Sequence, residues 1–297
     1  MAPLKRPIHL IAGPTASGKS ARALDIAARE QAAIINTDSM QVYDVLRIIT
    51  ARPSNTDLSA APHYLYGHMA PSAPYSTGIW MRQCADLLRQ LPDEQPLIFV
   101  GGTGLYFKAL LGGLSPIPAI PDTIRTRWRE ALTLEGAAAL HRILQERDPA
   151  LAKTLKPGDG QRIARALEVI DATGKSLAWW QTQPGEALID ENATQKTIIL
   201  PERPLLHERI NTRFIKMANE GALDEVRALN ALDINPALPA KKAIGVPEFS
   251  AYLAGELSLE AAIERGQAAT RQYAKRQMTW LRNQFGPDWS VTTGSKS

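Results

Sequence analysis

The stretch LIAGPTASGKSARALDIA, residues 10–27, carries Gly13-x-x-x-x-Gly18-Lys19-Ser20 between a short apolar run and a run of good helix formers. Glycines let the backbone wrap an anion, consecutive N–H groups point inward, and the N-terminus of the following helix adds partial positive charge. Gly13, Pro14, Thr15, Ala16, Ser17, Gly18, Lys19 and Ser20 are therefore candidate phosphate-binding residues. Lys19 would neutralise the terminal phosphates, and the Ser20 hydroxyl is placed to ligate Mg²⁺. The pattern needs a strand before it and a helix after it, and Ile8–Ala12 and Ala21–Glu30 read as both.

Working outward, two more apolar runs end in polar or glycine-bearing turns: Ala33–Ile35 before NTDSMQVY, and Leu97–Val100 before GGTGLYF. Short apolar runs alternating with helical stretches predict parallel strands in βαβ units, so the fold class is α/β with a P-loop NTPase-like parallel sheet core. Ser76 or Thr77 caps a helix through Leu91, which Pro92 follows. Pro116, Pro118 and Pro121 make a stiff linker, after which the pattern is mostly helical, with Gly174 as a helix stop. QKTIILPE (195–202) returns to a strand-like run, and helices follow. This organisation predicts a catalytic core from 1–121 and 195–297, interrupted by a helical insertion over 122–194.

Asp38 follows the second apolar run, and strand ends in an open parallel sheet face the ligand crevice. Two readings stand: a cap for a helix beginning near Ser39, or a general base or metal ligand beside the phosphate pocket. Gly101, Gly102 and Thr103 follow the third run, which does not end in the acidic residue of a Walker B partner. No adenine-reading segment is evident either, so phosphate binding is better supported than ATP use.

The 297 residues are 44% hydrophobic and 22% charged, as in a soluble globular protein, and the net charge of +4 permits a nucleic-acid partner. Cys84 is the single cysteine, which excludes an intramolecular disulfide and a cysteine-based zinc site. It reads as a packed small hydrophobe, and Trp179 and Trp180 as packing residues. The five histidines lack metal-ligand spacing. The N-terminal apolar stretch is too short for a signal peptide, and no run approaches the ~20 residues of a bilayer span. A cytoplasmic protein without membrane contact is expected. From Arg265 to Pro287 there is no acidic residue, whereas Arg265, Arg271, Lys275, Arg276 and Arg282 are basic. Helical spacing puts Arg271, Lys275 and Arg282 on one face and Tyr273 and Trp280 on the other. That suits contact with a phosphate backbone, as it would a solvated basic face.

GPTASGKS, NTDSMQVY, GGTGLYFKALLGGLSPIP, QRIARALEV and TRQYAKRQMTWLR, in this order, resemble the bacterial tRNA isopentenyltransferase family over residues 8–283. The resemblance implies that dimethylallyl diphosphate is the donor and that the adenosine immediately 3′ of the anticodon in tRNA is the acceptor. The loop then grips a diphosphate leaving group with Mg²⁺, and no nucleoside triphosphate is consumed. Asp38 matches the general base, and Thr103 a position contacting the acceptor nucleotide. Arg213, in HERINTRF, is a candidate for a second diphosphate clamp beside Lys19 and Ser20, and reads equally as a solvated helix arginine. Positions contacting tRNA would be Asp38, Ser39, Met40 and Gln41; Arg125; and Gln161, Arg162, Ile163, Ala164 and Arg165. Lys242 and Gly245, with Arg271, Lys275, Arg276 and Arg282, complete that set. The partner would be the anticodon stem-loop, met by a monomer.

The sequence also departs from the family. KAIGVPEF (242–249) keeps Lys242 and Gly245 of an Arg-x-x-Gly-Tyr-Arg-like segment, but Val246 and Pro247 replace an aromatic and a basic residue. IITARP (48–53) stands where Gly-Thr-Ala-Lys-Pro is typical. Three alternatives stay open: a P-loop small-molecule kinase with QRIAR as its lid, a prenyltransferase acting on free adenine nucleotides, and a non-catalytic tRNA-binding module.

Overall fold

The computed structural model describes residues 6–294. The outermost residues of the N-terminal stretch and of the expected core, 1–5 and 295–297, lie outside the described residues. In chain order the core elements are β1 (Ile8–Ala12), α1 (Lys19–Glu30), β2 (Ala33–Asn36), α2 (Asn55–Ala60), β3 (His63–Tyr64), α3 (Thr77–Gln90), β4 (Leu97–Gly101) and α4 (Gly104–Gly112). A helical stretch follows: α5 (Asp122–Glu135), α6 (Ala137–Arg147), α7 (Pro149–Ala152), α8 (Gly160–Thr173) and α9 (Leu177–Gln181). The chain then adds β5 (Thr194–Ile199), α10 (Arg203–Asn219), α11 (Ala222–Ala231), α12 (Val246–Leu253), α13 (Leu259–Gln284) and β6 (Ser290–Thr292).

The strands form one parallel sheet in the order β3-β2-β4-β1-β5-β6. Every residue of β1, β2 and β4 is buried, which is why these strands read as unbroken apolar runs in place of alternation. β3 and β6 were not expected: the first is two half-buried residues and the second is exposed throughout, so neither carries an apolar signal. The chain leaves β1 toward β2 on one side of the sheet, whereas β5 pairs with β1 on the other side. Such a reversal opens a crevice at the carboxyl ends of the strands. Gly101 at the end of β4 lets the backbones meet there, since a Cβ on it would stand 2.3 Å from the Thr37 carbonyl carbon.

The helix starts and stops follow local chemistry. Ser76 caps α3 by accepting from the Ile79 N–H, and Gly174 ends α8 in the left-handed conformation. By contrast, no helix starts at Ser39. The Asp38 carboxylate accepts from the Met40 N–H at 3.0 Å, which makes an Asx turn and removes the helix-cap reading.

The chain divides into two compact units, Met1–Leu111 with Leu188–Ser297, and Gly112–Ala187. The sequence boundaries of 122 and 194 therefore fall inside this division differently. The proline-bearing run belongs with the helical unit because Gly113 lies against 185–186: a Cβ on it would be 2.3 Å from the Glu186 nitrogen. Leu188 instead belongs with the larger unit, its N–H bonding the Leu110 carbonyl at 2.9 Å. The helical unit has its own core, including Trp128, Leu140, Leu144, Ile163 and Leu167. In the larger unit, the segment after Asp38 packs through Val42, Tyr43 and Leu46 against Phe214, Val226 and Phe249. No helix among the described residues is long and apolar enough to cross a membrane.

Candidate active site

The loop of residues 13–20 leaves β1 and opens α1. Ala16 and Gly18 both take positive φ, at 61° and 91°, and this bends the loop over the start of the helix. The first N–H groups of a helix have no partner within it, so the loop end of α1 presents donors as well as positive potential. The Gly13 N–H bonds the Gly101 carbonyl at 3.4 Å, tying the loop to β4, and the Pro14 carbonyl accepts from the Ser17 N–H and Lys19 Nζ.

Two adjoining cavities lie over this loop. One, of about 720 Å³, is lined by residues 15–20 with Asp25, Gln41, Arg209 and Arg213. The other, of about 370 Å³, has the apolar walls Met40, Ile49, Phe214, Met217 and Ile244 and a polar rim that includes Lys242, Tyr273 and Arg276. Thr15, Asp38, Thr50 and Arg213 line both. A polar chamber over the glycine loop thus meets an apolar chamber at a carboxylate and a guanidinium.

Burial lowers the Lys19 pKa to about 8; Asp38 acts against that fall, and Arg213 adds to it. Burial also lowers the pKa of Arg213, again opposed by Asp38. The phenols of Tyr66 and Tyr273 are raised by burial, with Asp38 adding to the rise, so both are neutral at ordinary pH. Asp38 is set by its neighbours. Buried Asn36 donates to the Asp38 carbonyl and accepts from the Asp38 N–H at 2.8 Å, and its own carbonyl accepts from the Trp80 indole.

The sequence-derived residues divide on inspection. Lys19, Ser20, Asp38, Gln41 and Arg213 converge on the larger cavity, and Ser39, Met40, Lys242 and Arg276 line the smaller. Thr103 stands behind the turn: its hydroxyl accepts from the Ser39 N–H at 3.0 Å and holds the base candidate in place. Gly245 is a correction. It is buried at φ +102° against Ile49, and its N–H donates to Glu248, so it shapes the backbone and offers RNA no side chain. On α13, Arg271 donates to Asn211, whereas Lys275 and Arg282 are exposed. Arg276 turns toward Tyr273, 5.7 Å over its ring, and leaves the Lys275 face.

In the helical unit, Gln161 and Arg162 are exposed, and Arg165 pairs with Glu168 at 3.1 Å. Ile163 and Ala164 point the other way into the core, because an amphipathic helix cannot expose five consecutive residues. Arg125 pairs with Asp122 at 2.9 Å. Trp180 donates its indole N–H to Thr173, but Trp179 is 40% exposed beneath Lys175 and is not a core residue.

Two site residues were not foreseen. Arg209 lies four residues before Arg213 on α10, so the i, i+4 spacing already put both on one face. Gln277 is buried on α13 and reaches the loop itself; it falls within the TRQYAKRQMTWLR segment, but no spacing rule marks its role. Among the described residues no group of three or more His, Cys, Asp or Glu side chains is arranged to hold a metal ion. The larger cavity does offer hard oxygen donors in Ser20, Asp25, Asp38 and Thr50, the chemistry Mg²⁺ requires.

Residues 41–284 match the family model described as IPP transferase. A tRNA dimethylallyltransferase of Chelativorans sp. (strain BNC1) is 54% identical over 281 residues, covering 94% of this chain and 96% of that protein. The crystal structure of the full-length tRNA isopentenylpyrophosphate transferase from Bacillus halodurans is 31% identical, with a TM-score of 0.67 over 97% of this chain and 90% of that one. A eukaryotic dimethylallyltransferase captured in crystallographic snapshots acting on tRNA superposes with a TM-score of 0.80 at 26% identity, over 93% of this chain and 70% of that one. With its fold and most of its length matched in this way, the chain belongs to the IPP transferase family.

Proposed function

We propose that the protein transfers the dimethylallyl group of dimethylallyl diphosphate to the exocyclic amine of the adenosine 3′-adjacent to the anticodon in tRNA, releasing diphosphate. The observation that carries this reading is the meeting of an anion chamber and an apolar chamber at Asp38 and Arg213. A kinase places a second phosphate acceptor at that junction; a prenyltransferase needs room for a hydrocarbon and a base. The names of the near full-length relatives support the same reaction.

In this reading the amine nitrogen attacks the allylic carbon, whose bond to the diphosphate oxygen breaks with both electrons leaving on oxygen. Asp38 takes the amine proton, and Thr103 and Asn36 keep its turn in register. Lys19, Arg213 and the loop N–H groups stabilise the charge that grows on the leaving group. Ser20 would hold Mg²⁺, which usually keeps several waters and takes other ligands from phosphates, so a dedicated protein cage is not required. When bound, the ion offsets charge on the diphosphate. The acceptor base must leave its stack to reach this depth. Arg125, Gln161, Arg162 and Arg165 would meet the anticodon arm, along with Lys242, Arg276 and the exposed Lys275 and Arg282. The protein would act in the cytoplasm, where its tRNA acceptor is found.

Labelled dimethylallyl diphosphate and unmodified tRNA test the reading. Label in tRNA without ATP supports it; ATP turnover with unlabelled tRNA establishes the kinase, and labelling of AMP alone establishes the free-nucleotide enzyme. The basic face has its own measure. Replacing Lys275 and Arg282 together by Ala is expected to weaken tRNA binding and to flatten the slope of log affinity against log salt by roughly 1–2. An unchanged slope across salt would remove both residues from the interface.

A further inference from the structure

We propose that Gln277 is a positioning residue for the diphosphate loop, tying Thr15 to Gly102 so that the Thr15–Arg213 clamp and the backbone beside Asp38 share one geometry. This rests on the transferase reading for its place in the reaction, though not for its effect on anion binding.

Gln277 is 6% exposed and spends both ends of its carboxamide on backbone. Its Oε1 accepts from the Thr15 N–H at 3.0 Å, and its Nε2 donates to the Gly102 carbonyl at 3.1 Å. Thr15 is then held at its other end, where its hydroxyl accepts from Arg213 Nη2. Gly102 has no side chain, and that permits the tie: a Cβ there would stand 2.2 Å from Gln277 Nε2 and 3.4 Å from the Asp38 Oδ2. One carboxamide from α13 therefore spans the loop after β1 and the loop after β4. It fixes the position of the residue on which Arg213 rests and that of the backbone facing the base.

A loop amide used in this way is not available to the diphosphate. Its value lies in alignment, because a cradle of backbone donors binds an anion well only when each donor is already in place. Without the tie, a half-buried N–H and a buried carbonyl lose their partners, and the loop must shift to find others. Thr15 lines both cavities, so a shift there moves the clamp as well as the floor.

The test uses inorganic diphosphate with Mg²⁺ as the probe, titrated by calorimetry against the full-length chain. Gln277→Met keeps length and bulk and removes both hydrogen bonds. Its diphosphate Kd is expected to rise roughly 10–100-fold, with the donor KM rising in parallel and tRNA affinity within about threefold of wild type. Gln277→Glu gives a readout that a merely structural role would not move. Its carboxylate repels the Gly102 carbonyl, whereas the protonated acid has the shape and bonding of the carboxamide, accepting from Thr15 and donating to Gly102. Burial and the neighbouring Asp38 favour the protonated form as pH falls. The Glu variant's affinity relative to wild type should therefore recover about tenfold from pH 8.5 to pH 6, and at pH 6 it should exceed that of Gln277→Met, which separates the restored tie from relief of the carboxylate's own repulsion of diphosphate.

Wild-type affinity in Gln277→Met overturns the proposal. A Glu variant whose relative affinity is flat with pH also overturns it, and serves where the Met variant does not fold. Loss of tRNA affinity equal to loss of diphosphate affinity assigns Gln277 to seating α13 and overturns the loop role. Diphosphate binding that depends on Gln277 in a protein that fails to label tRNA keeps the positioning role and sinks the transferase reading. A wild-type protein that binds no diphosphate overturns both.

Discussion

Asp38→Ala is expected to lower kcat by about a thousandfold while leaving diphosphate and tRNA binding nearly intact. The amine lone pair of adenine is delocalised into its ring, so nitrogen attacks well only if its proton leaves as the new bond forms. A positioned base contributes roughly 10²–10⁴-fold to such a step. Asp38 stands where the two cavities meet, set by Asn36 and by the Thr103–Ser39 hydrogen bond. Alanine also removes the Asx turn, whereas Asp38→Asn can still accept from Met40 and isolates the loss of the base. Both variants should fall in single-turnover rate by similar factors. The carboxylate has a second effect that decides how to assay them. It holds the Lys19 pKa up against burial, so its removal lets that pKa drop below about 8. Binding should accordingly be compared near pH 6.5, where the ammonium persists. Turnover near wild type in Asp38→Asn removes Asp38 as the base.

Lys19→Met is expected to cost a further large factor, about 10²–10³ in kcat/KM for the donor. Unlike the Asp38 variants, it should weaken inorganic diphosphate binding directly. The side chain keeps its length but loses the charge that meets the leaving group. The pH dependence follows from the lowered pKa. Below about 8 the ammonium is intact and aids the anion; above it, the group loses its proton and its attraction. Bound diphosphate favours the charged form, so the loss appears at higher pH in the complex than in the free protein. The ratio of wild-type to Lys19→Met affinity should therefore shrink as pH rises from about 7 to 9.5. Taking the ratio cancels the titration of diphosphate itself. A ratio constant over that range shows that Lys19 does not act through its charge.

Several parts of the site were legible because they rest on neighbours in the chain. The loop at 13–20 needs left-handed backbone at Gly18 and a helix directly behind it, and both are local demands. The apolar runs at β1, β2 and β4 announce burial on both faces, so the parallel sheet and its crevice follow. The i, i+4 spacing of Arg209 and Arg213 was legible as well, although only Arg213 was singled out. Less could be read where a motif stood in for a geometry. QRIAR is one continuous match, yet α8 turns its two apolar residues into the core, leaves Gln161 and Arg162 exposed and pairs half-buried Arg165 with Glu168. Gly245 likewise keeps a family position while serving the backbone alone.

The sequence by itself determined the glycine loop, the α/β class and the placement of Asp38 at a strand end. Each depends on φ/ψ freedom, helix termini or hydrophobic period within a few residues. The tertiary structure alone decided what Asp38 and Thr15 touch. Thr103 supports the base turn from 64 residues away, and Gln277 reaches Thr15 across 262. Gln277 lies within the TRQYAKRQMTWLR segment, but nothing local to it names its partners, because these are two backbone groups that come together only when the strand-end loops pack beneath α13.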